Sequence, residues 1–462
     1  MISRWLEDAV RHRGAAHAVV QRDTYLSFRG LLHRAARRAN ELQAIGVERG
    51  DAVGVMLGNV SDYPVIAVAL SRLGAALVPV APLCSGQELD AIQKLVPLRA
   101  LITRPGAMVL DRSDAERASE SPALSARLRL QGSLLSCALY PRRKRQEDGT
   151  SLVFVSPGPG STYRAVHRTT EQLAAEAENI ALALGVSEGD RIGATLPFHH
   201  PFGLVLSLTM TVGYGAQLHL DDDLSGRRAM LRVRDSELTI VPVSRSLLQE
   251  FCELPLARPV SAATRFVCAE GAVGRGLGHA FHRLFKVRVR GGYHRAETGL
   301  VALDRDGRSP HTVGCPVEGV EVRLRNPKGK PVAPGRRGRL EVRGPSVSVA
   351  SAEQWWDTAE QANLDGHGRL KLQPRADDLR SVEGLLVSLD EVRQALRAHR
   401  AVEDAAVEMA PGSSAQSAGD GLVLQARVTL RSKVSPERLT GHCASRLSLY
   451  KVPSEIVIVD KL

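Results

Sequence analysis

An apolar run, Leu152-Val-Phe-Val155, leads into Ser156-Pro-Gly-Pro-Gly-Ser-Thr162, and a helix pattern opens near Thr170. Glycines let backbone N–H groups approach an anion, and hydroxyls add further donors, so a loop of this make-up can wrap phosphate. Ser156, Gly158, Gly160, Ser161 and Thr162 are its candidate contacts, with Arg164 as the cation that follows. Pro157 and Pro159 remove two N–H donors and stiffen the backbone. Taken alone, the pattern also suits an ordinary turn. Three other segments gather polar residues: Leu196-Pro-Phe-His-His-Pro-Phe-Gly203, Gly291-Gly-Tyr-His-Arg-Ala-Glu-Thr-Gly299, and Gln354-Trp-Trp-Asp-Thr-Ala-Glu360 followed by Pro374-Arg-Ala-Asp-Asp378. A lone histidine such as His200 at a strand end is more often a core residue than a reactive one.

These segments need a frame. Leu32 to Leu42 has apolar residues at helical spacing, Ala52 to Leu57 is a short apolar strand, Val65 to Leu73 reads as a buried helix, and Ala76 to Val80 as another strand. This alternation predicts a parallel sheet with helices on its faces. The rhythm returns at Arg191 to Leu220, Leu238 to Val243 and Arg265 to Ala269. Residues 105–150 have little pattern and read as a surface excursion. After Thr312, short strands at Val320 to Leu324 and Arg339 to Val342, separated by Asn326-Pro-Lys-Gly329 and Pro334-Gly335, predict a small β-rich subdomain. From Arg375 a compact α+β unit follows: a helix (Leu389 to Ala398), strands (Ala405 to Met409 and Leu422 to Leu430), a helix (Pro436 to Leu447) and a strand (Glu455 to Val459). The Gly/Ser-rich stretch from Pro411 to Gly421 should be mobile.

At 462 residues the chain is too long for one ordinary core, so two or three domains are expected. Its composition, 44% hydrophobic and 24% charged, is that of a globular protein. No apolar run reaches the ~18–20 residues of a membrane span. The N-terminal MISRWLEDAVRHRG lacks the apolar core of a signal peptide, which predicts a cytoplasmic protein. Six cysteines without a CxxC pair argue against a zinc site or a disulfide framework. The net charge of +11 comes from 61 basic and 50 acidic residues, mostly isolated arginines; the densest run, Pro141 to Arg145, reads as a solvated loop. No nucleic-acid partner is expected. A basic balance also suits an anionic small substrate.

In order and spacing, the four polar segments resemble the adenylate-forming superfamily of acyl-CoA synthetases, luciferases and peptide-synthetase adenylation domains, and the resemblance extends from Ser27 to Leu462. It implies an α/β fold. A large N-terminal domain of parallel and mixed sheets sandwiched by helices would occupy residues 1–374, with the β subdomain at about 312–374. A small mobile α+β domain would occupy 375–462, turning about a hinge near Asp377 and Asp378. The family's loop carries a lysine whose place falls on Tyr163 or on Arg164, depending on where a gap is put. His200 falls on a histidine near the acyl pocket. Gly291 to Gly299, with Thr312-Val-Gly-Cys-Pro316, resembles the family's Tyr-Gly-x-Thr-Glu segment and the strand entry after it. The resemblance implies that Gly292 and Tyr293 meet adenine, that Thr298 donates to the α-phosphate, and that Glu297 holds Mg²⁺, which prefers hard oxygen ligands. Glu360 stands for the aspartate that grips the ribose hydroxyls, Ala359 for a glycine, and Arg375 for a ribose-contacting arginine. His294 and Ala296 depart from the pattern.

The activity so implied is ATP-dependent ligation. A carboxylic acid becomes an acyl-adenylate, and the acyl group then passes to the thiol of CoA or of the phosphopantetheine of an acyl carrier protein, with ATP and Mg²⁺ as cofactors. Family members also carry a Pro-Arg-Thr-x-x-Gly-Lys loop after a strand like Lys451 to Asp460. This sequence stops at Lys461-Leu462, so that lysine's contribution, of order 10²–10³ in rate, is expected to be lacking. The alternative is a catalytically weakened relative that binds nucleotide or acyl-adenylate and serves as a partner or scaffold.

Overall fold

The computed structural model describes residues 2–22, 24–82, 84–104, 126–129, 135–141, 145–147, 149–158, 160, 162–255, 258–333, 335–373, 378–382, 385–411 and 422–462. Two large sheets carry most of the molecule. One runs in the spatial order Ala126–Arg129, Ser136–Leu139, Leu98–Thr103, Ala52–Met56, Ala76–Pro79, Thr150–Pro157, Tyr163–Thr169. Its central strands are parallel. The other has a parallel run of Gln217–Leu220, Arg191–Gly193, Ile240–Pro242, Arg265–Cys268 and Val289–Arg295. Strands buried on both faces read as continuous apolar runs, which is why Ala-Val-Gly-Val-Met and Ile-Val-Pro form them. The helices Asp62–Leu73 and Pro201–Tyr214 are buried almost all round and join the main core. A helix apolar on every side must lie inside.

The β-rich stretch is a four-stranded antiparallel sheet of Glu321–Arg325, Gly338–Arg343, Trp356–Leu364 and Leu370–Leu372. Gly314 links it to the second large sheet. At φ +75° it sits where a Cβ would lie 2.0 Å from the Leu303 carbonyl oxygen, so only glycine fits. A hairpin, Leu379–Val382 with Leu385–Ser388, precedes the last unit. There the helices Leu389–Arg397 and Pro436–Ala444 and the strands Val402–Pro411, Leu422–Leu430 and Glu455–Ile458 enclose a core of their own. The α/β class expected from the sequence is therefore the observed one.

Three expectations need correction or limits. The glycine loop does not run straight into a helix. Tyr163–Thr169 intervenes as a strand antiparallel to Thr150–Pro157, so the loop is a hairpin turn. The helix Thr170–Leu184 after it has its N-terminus closed by a capping box of Thr169 and Gln172. The patternless stretch at 105–150 contributes the edge strand Ala126–Arg129 and the strand Ser136–Leu139 inside it, both too short to read. Pro334, residues 412–421 and the centre of the basic run, 142–144, lie outside the described residues. Among the described residues no helix is long and apolar enough to cross a membrane.

One buried network ties the first sheet to the turn after Val289–Arg295. Arg168, with no solvent exposure, donates from Nη1 to the Ala296 carbonyl (2.7 Å) and from Nη2 to Glu176 Oε2 and the Ser346 carbonyl (2.8 Å each). His294 Nε2 meets the other Glu176 oxygen at 2.8 Å. Burial alone would raise the Glu176 pKa, but Arg168 and His294 bring it below the ordinary value. Gly299 lets this carboxylate in: at φ +70°, a Cβ there would sit 2.7 Å from Glu176 Cδ. Removing one partner of a buried pair strands the other charge, at a cost of roughly 3–5 kcal/mol. Arg168→Met is thus expected to lower the chemical-unfolding midpoint of the large unit markedly. An unchanged midpoint would show that the network carries no stability.

Candidate functional site

The site is a chain of alternating charges. Glu297, in the turn after Val289–Arg295, is 3% exposed. Arg164 pairs with it through Nη2 from the neighbouring sheet. Arg295 Nε lies 3.5 Å from Glu297 Oε2, and its Nη1 donates to Glu360 Oε1 at 2.7 Å. Burial alone would raise the Glu297 pKa; Arg295 and then Arg164 hold it below the ordinary carboxylate range. The Glu297 carbonyl accepts from the Ser348 N–H at 2.6 Å, which fixes the turn.

Glu360 is set by strand alternation. In Trp356–Leu364, Thr358, Glu360 and Ala362 are buried while Asp357, Ala359 and Gln361 are exposed. Ala359 adopts φ +58°, a left-handed conformation that costs a residue with a Cβ about 1–2 kcal/mol. Asp357 Oδ1 accepts from the Ala359 N–H at 2.9 Å, and Thr358 Oγ1 from the Glu360 N–H at 3.2 Å, so the kink is held from both sides.

The glycine turn faces the C-terminal unit. Gly158 N–H donates to the Thr162 carbonyl at 2.7 Å, and a Cβ on Gly158 would sit 2.6 Å from Thr162 Oγ1. Gly160 N–H donates to Asp378 Oδ1 at 3.3 Å, and Asp378 Oδ2 accepts from the Ser388 hydroxyl at 2.6 Å. Ser156 pairs with Arg164 across the hairpin. Ser161, Arg375 and Asp377 lie outside the described residues.

Tyr163 and Arg164 go separate ways, as neighbours on a strand do. While Arg164 reaches Glu297, the Tyr163 hydroxyl donates to Glu391 and accepts from Lys451 Nζ at 2.6 Å. Lys451, 1% exposed, also lies 2.6 Å from Glu88 Oε1 and 3.0 Å from Glu391 Oε1. Glu88 is further held by the Ser448 hydroxyl (2.6 Å) and the Ser85 N–H (3.1 Å). Burial opposes the charge on Lys451, but Tyr450, Glu88 and Glu391 more than offset this and push its pKa up. Of the two candidates for the loop lysine's place, Arg164 alone meets Glu297.

Other expected residues are placed differently. Thr298 has no exposure, and its hydroxyl donates to the Gly299 carbonyl at 3.1 Å, so it offers the glycine turn no donor in this arrangement. His200 caps the helix Pro201–Tyr214, its Nδ1 accepting from the Gly203 N–H at 3.3 Å. Tyr293 is 3% exposed within the main core, so its ring presents almost no open face. Gly292 lies in strand register opposite Leu303. Mg²⁺ does not fit at Glu297 as arranged, because two guanidinium groups already neutralise that carboxylate. Among the described residues no three His, Cys, Asp or Glu side chains gather to hold a metal.

The sequence reading missed Lys451 and Glu391, which pair across distant segments, and Arg168 and Glu176, which lie eight residues apart across a strand–helix junction with no local sign that both are buried. It also missed Glu88, although Ser85-Gly-Gln-Glu88 is a readable capping-box spacing. His199, beside His200, lies against Tyr450 of the C-terminal unit (ring centroids 6.3 Å apart). Burial pushes its pKa down to about 4. A base held neutral in the fold takes up a proton more readily when unfolded. Its contribution is full above the unfolded pKa near 6.5 and is lost as pH falls from there toward 4. Because the ring is half-buried, roughly 1 kcal/mol is at stake. His199→Gln should flatten the fall in stability between pH 7 and pH 5 in chemical unfolding; an identical slope would contradict this.

Known proteins of this kind share the architecture. Feruloyl-CoA synthase of Amycolatopsis sp is 26% identical over 98% of this chain and 92% of its own length. Among solved structures, an amide bond synthetase from Marinactinospora thermotolerans superposes with a TM-score of 0.83 (20% identity; 100% of this chain, 96% of that one). o-Succinylbenzoate CoA synthetase of Bacillus subtilis, as a double mutant with its product analogue OSB-NCoA, gives 0.82 (22% identity; 99% and 95%). The same synthetase with ATP and magnesium ion gives only 0.70 (22% identity; 99% and 96%). The family model described as AMP-binding enzyme matches residues 6–350. With the loop, the turn at Glu297 and the Trp356–Leu364 strand meeting in the expected order, this chain belongs to the AMP-binding enzyme family, the adenylate-forming ligases.

Proposed function

We propose that this chain is an acid–thiol ligase of the acyl-CoA synthetase kind: it forms an acyl-adenylate from a carboxylic acid and ATP and passes the acyl group to CoA. The observation that carries this reading is the pair of buried carboxylates, Glu297 and Glu360, bridged by Arg295 and reached by Arg164 from the glycine hairpin. Charges of both signs, with Glu297, Arg295 and Glu360 withdrawn from water and Arg164 at the open side, suit a nucleotide, which presents ribose hydroxyls to a carboxylate and phosphate to a cation. In this reading Glu360, with Arg375, takes the ribose; Ser156, Gly158, Gly160, Ser161, Thr162 and Arg164 take the phosphate; Gly292 and Tyr293 border the adenine; His200 lies on the acyl side.

The thiol sulfur attacks the acyl carbonyl, a C–S bond forms, the C–O bond to phosphate breaks, and AMP departs with the electron pair. The protein contributes positioning and fixed charge rather than covalent chemistry. Two features of shape support the transfer half-reaction: the better superposition on the CoA-analogue complex of the Bacillus synthetase, and the hairpin Leu379–Val382 and Leu385–Ser388 beside the glycine turn. In this reading the chain divides near residue 374, with a domain of 375–462 turning about Asp377 and Asp378. CoA is preferred as acceptor because the relatives are named CoA ligases; a carrier-protein phosphopantetheine is the alternative thiol.

A second reading, a relative weakened in adenylation that retains acyl-adenylate binding, is favoured by one observation: Arg164 already occupies Glu297. Mass detection of acyl-CoA separates the two. A panel of aryl and short acids is supplied either with ATP and Mg²⁺ or as preformed acyl-adenylates, always with CoA. The leading reading expects thioester from both, and thioester from the adenylates alone supports the second. Thioester from neither would defeat the ligase reading. Glu360→Ala should weaken AMP binding about tenfold, the effect of losing hydrogen bonds to a charged group. Unchanged affinity in calorimetry would remove Glu360 from the ribose site.

A further inference from the structure

We propose that the Arg164 guanidinium takes the place of a divalent cation at Glu297, so that this chain binds the phosphate of AMP or an acyl-adenylate without metal. The inference rests on the ligase reading of the same site. Three observations carry it. Arg164 and Arg295 flank the Glu297 carboxylate, which is nearly without solvent. A dication brought to Glu297 would meet two guanidinium groups at close range, of which Arg295 is shared with Glu360. The four side chains Arg164, Glu297, Arg295 and Glu360 already balance one another's charge.

The second observation is a donor left over. Arg164 Nε–H is buried and has no hydrogen-bond partner among the described residues. A buried N–H in that condition is costly unless something accepts from it. A phosphate oxygen is the acceptor a guanidinium matches best, since its fork of donors fits tetrahedral oxygens. The third is the division of labour on the strand Tyr163–Thr169. Tyr163 is drawn off to Lys451 and Glu391, which leaves Arg164 as the residue of that pair able to face a phosphate held by the glycine turn. In this arrangement the positive charge is supplied by the chain and sits one strand residue beyond the turn. A monophosphate needs no more; a triphosphate carries further charge that Arg164 alone does not balance.

The test is titration calorimetry of the full-length protein with AMP, in excess EDTA and again in excess Mg²⁺. The wild-type affinity is expected to agree within about twofold between the two conditions. Arg164→Ala should weaken AMP binding about tenfold or more in EDTA, as loss of a charge-assisted hydrogen bond does. It should also acquire a Mg²⁺ dependence, because Glu297 then keeps Arg295 alone beside it and its Oε1 is open as a hard oxygen ligand. Arg164→Lys, checked for an unchanged thermal midpoint, should keep a cation and most of the EDTA affinity. The inference is overturned if wild-type AMP affinity falls tenfold or more on adding EDTA, or if Arg164→Ala binds AMP like wild type in EDTA. AMP binding in neither condition would overturn the ligase reading as well, whereas Mg²⁺-dependent binding by the wild type would overturn this inference alone.

Discussion

A buried ammonium group must be matched, and the match for Lys451 spans the molecule. Its partners are Glu88 from the helix Gly86–Leu95, Tyr163 from the sheet that carries the glycine hairpin, and Glu391 from the helix Leu389–Arg397. An unpaired lysine at 1% exposure would lose its proton or open the structure. With three partners it stays charged and holds the C-terminal unit in one place. The rest follows from that placement: the hairpin lies beside the glycine turn, Asp378 receives the Gly160 N–H, and Ser85 Oγ donates to the Arg446 carbonyl at 2.7 Å. Truncating such a cluster costs more than its formation contributes, because each remaining charge is stranded.

The same principle, applied a second time, builds the nucleotide side. Arg168 and Glu176 are both fully buried and exist as a pair; together they hold the carbonyls of Ala296 and Ser346 and the ring of His294. That frame presents Glu297 to Arg164 and Arg295. The site is thus a small charged layer resting on a second, wholly internal one. Apolar packing supplies the bulk of the fold, but the positions of Glu297 and Glu360 are set by guanidinium groups whose planar forks tolerate few geometries.

Much of the fold was readable because it is written locally. The strand at Ala52 and the all-round apolar helix after Asp62 are continuous apolar runs, and the helix after Leu389 has the 3.6 period, all within single segments. The strands at Ala126 and Ser136 were not, being only four residues each. The glycine turn was readable as a turn, yet the strand Tyr163–Thr169 after it was not, since Tyr-Arg-Ala-Val-His-Arg-Thr has only one fully apolar inward position, Val166. In the site, the order of motifs pointed to Glu297, Glu360 and Arg164. What it could not give was their pairing. Whether a glutamate faces a metal or an arginine depends on residues 133 positions apart in sequence, and no local pattern records that distance.

The Lys451 cluster completes the site across the two units. Hydrogen exchange of the full-length protein, wild type against Lys451→Met, measures this directly. The amides of the hairpin strands, of the helix Leu389–Arg397 and of the glycine turn should lose protection together, by about tenfold or more, while strands such as Ala52–Met56 and Arg265–Cys268 keep theirs. Unchanged protection at the glycine turn and the hairpin would contradict it, since the two units would then be joined by something other than Lys451.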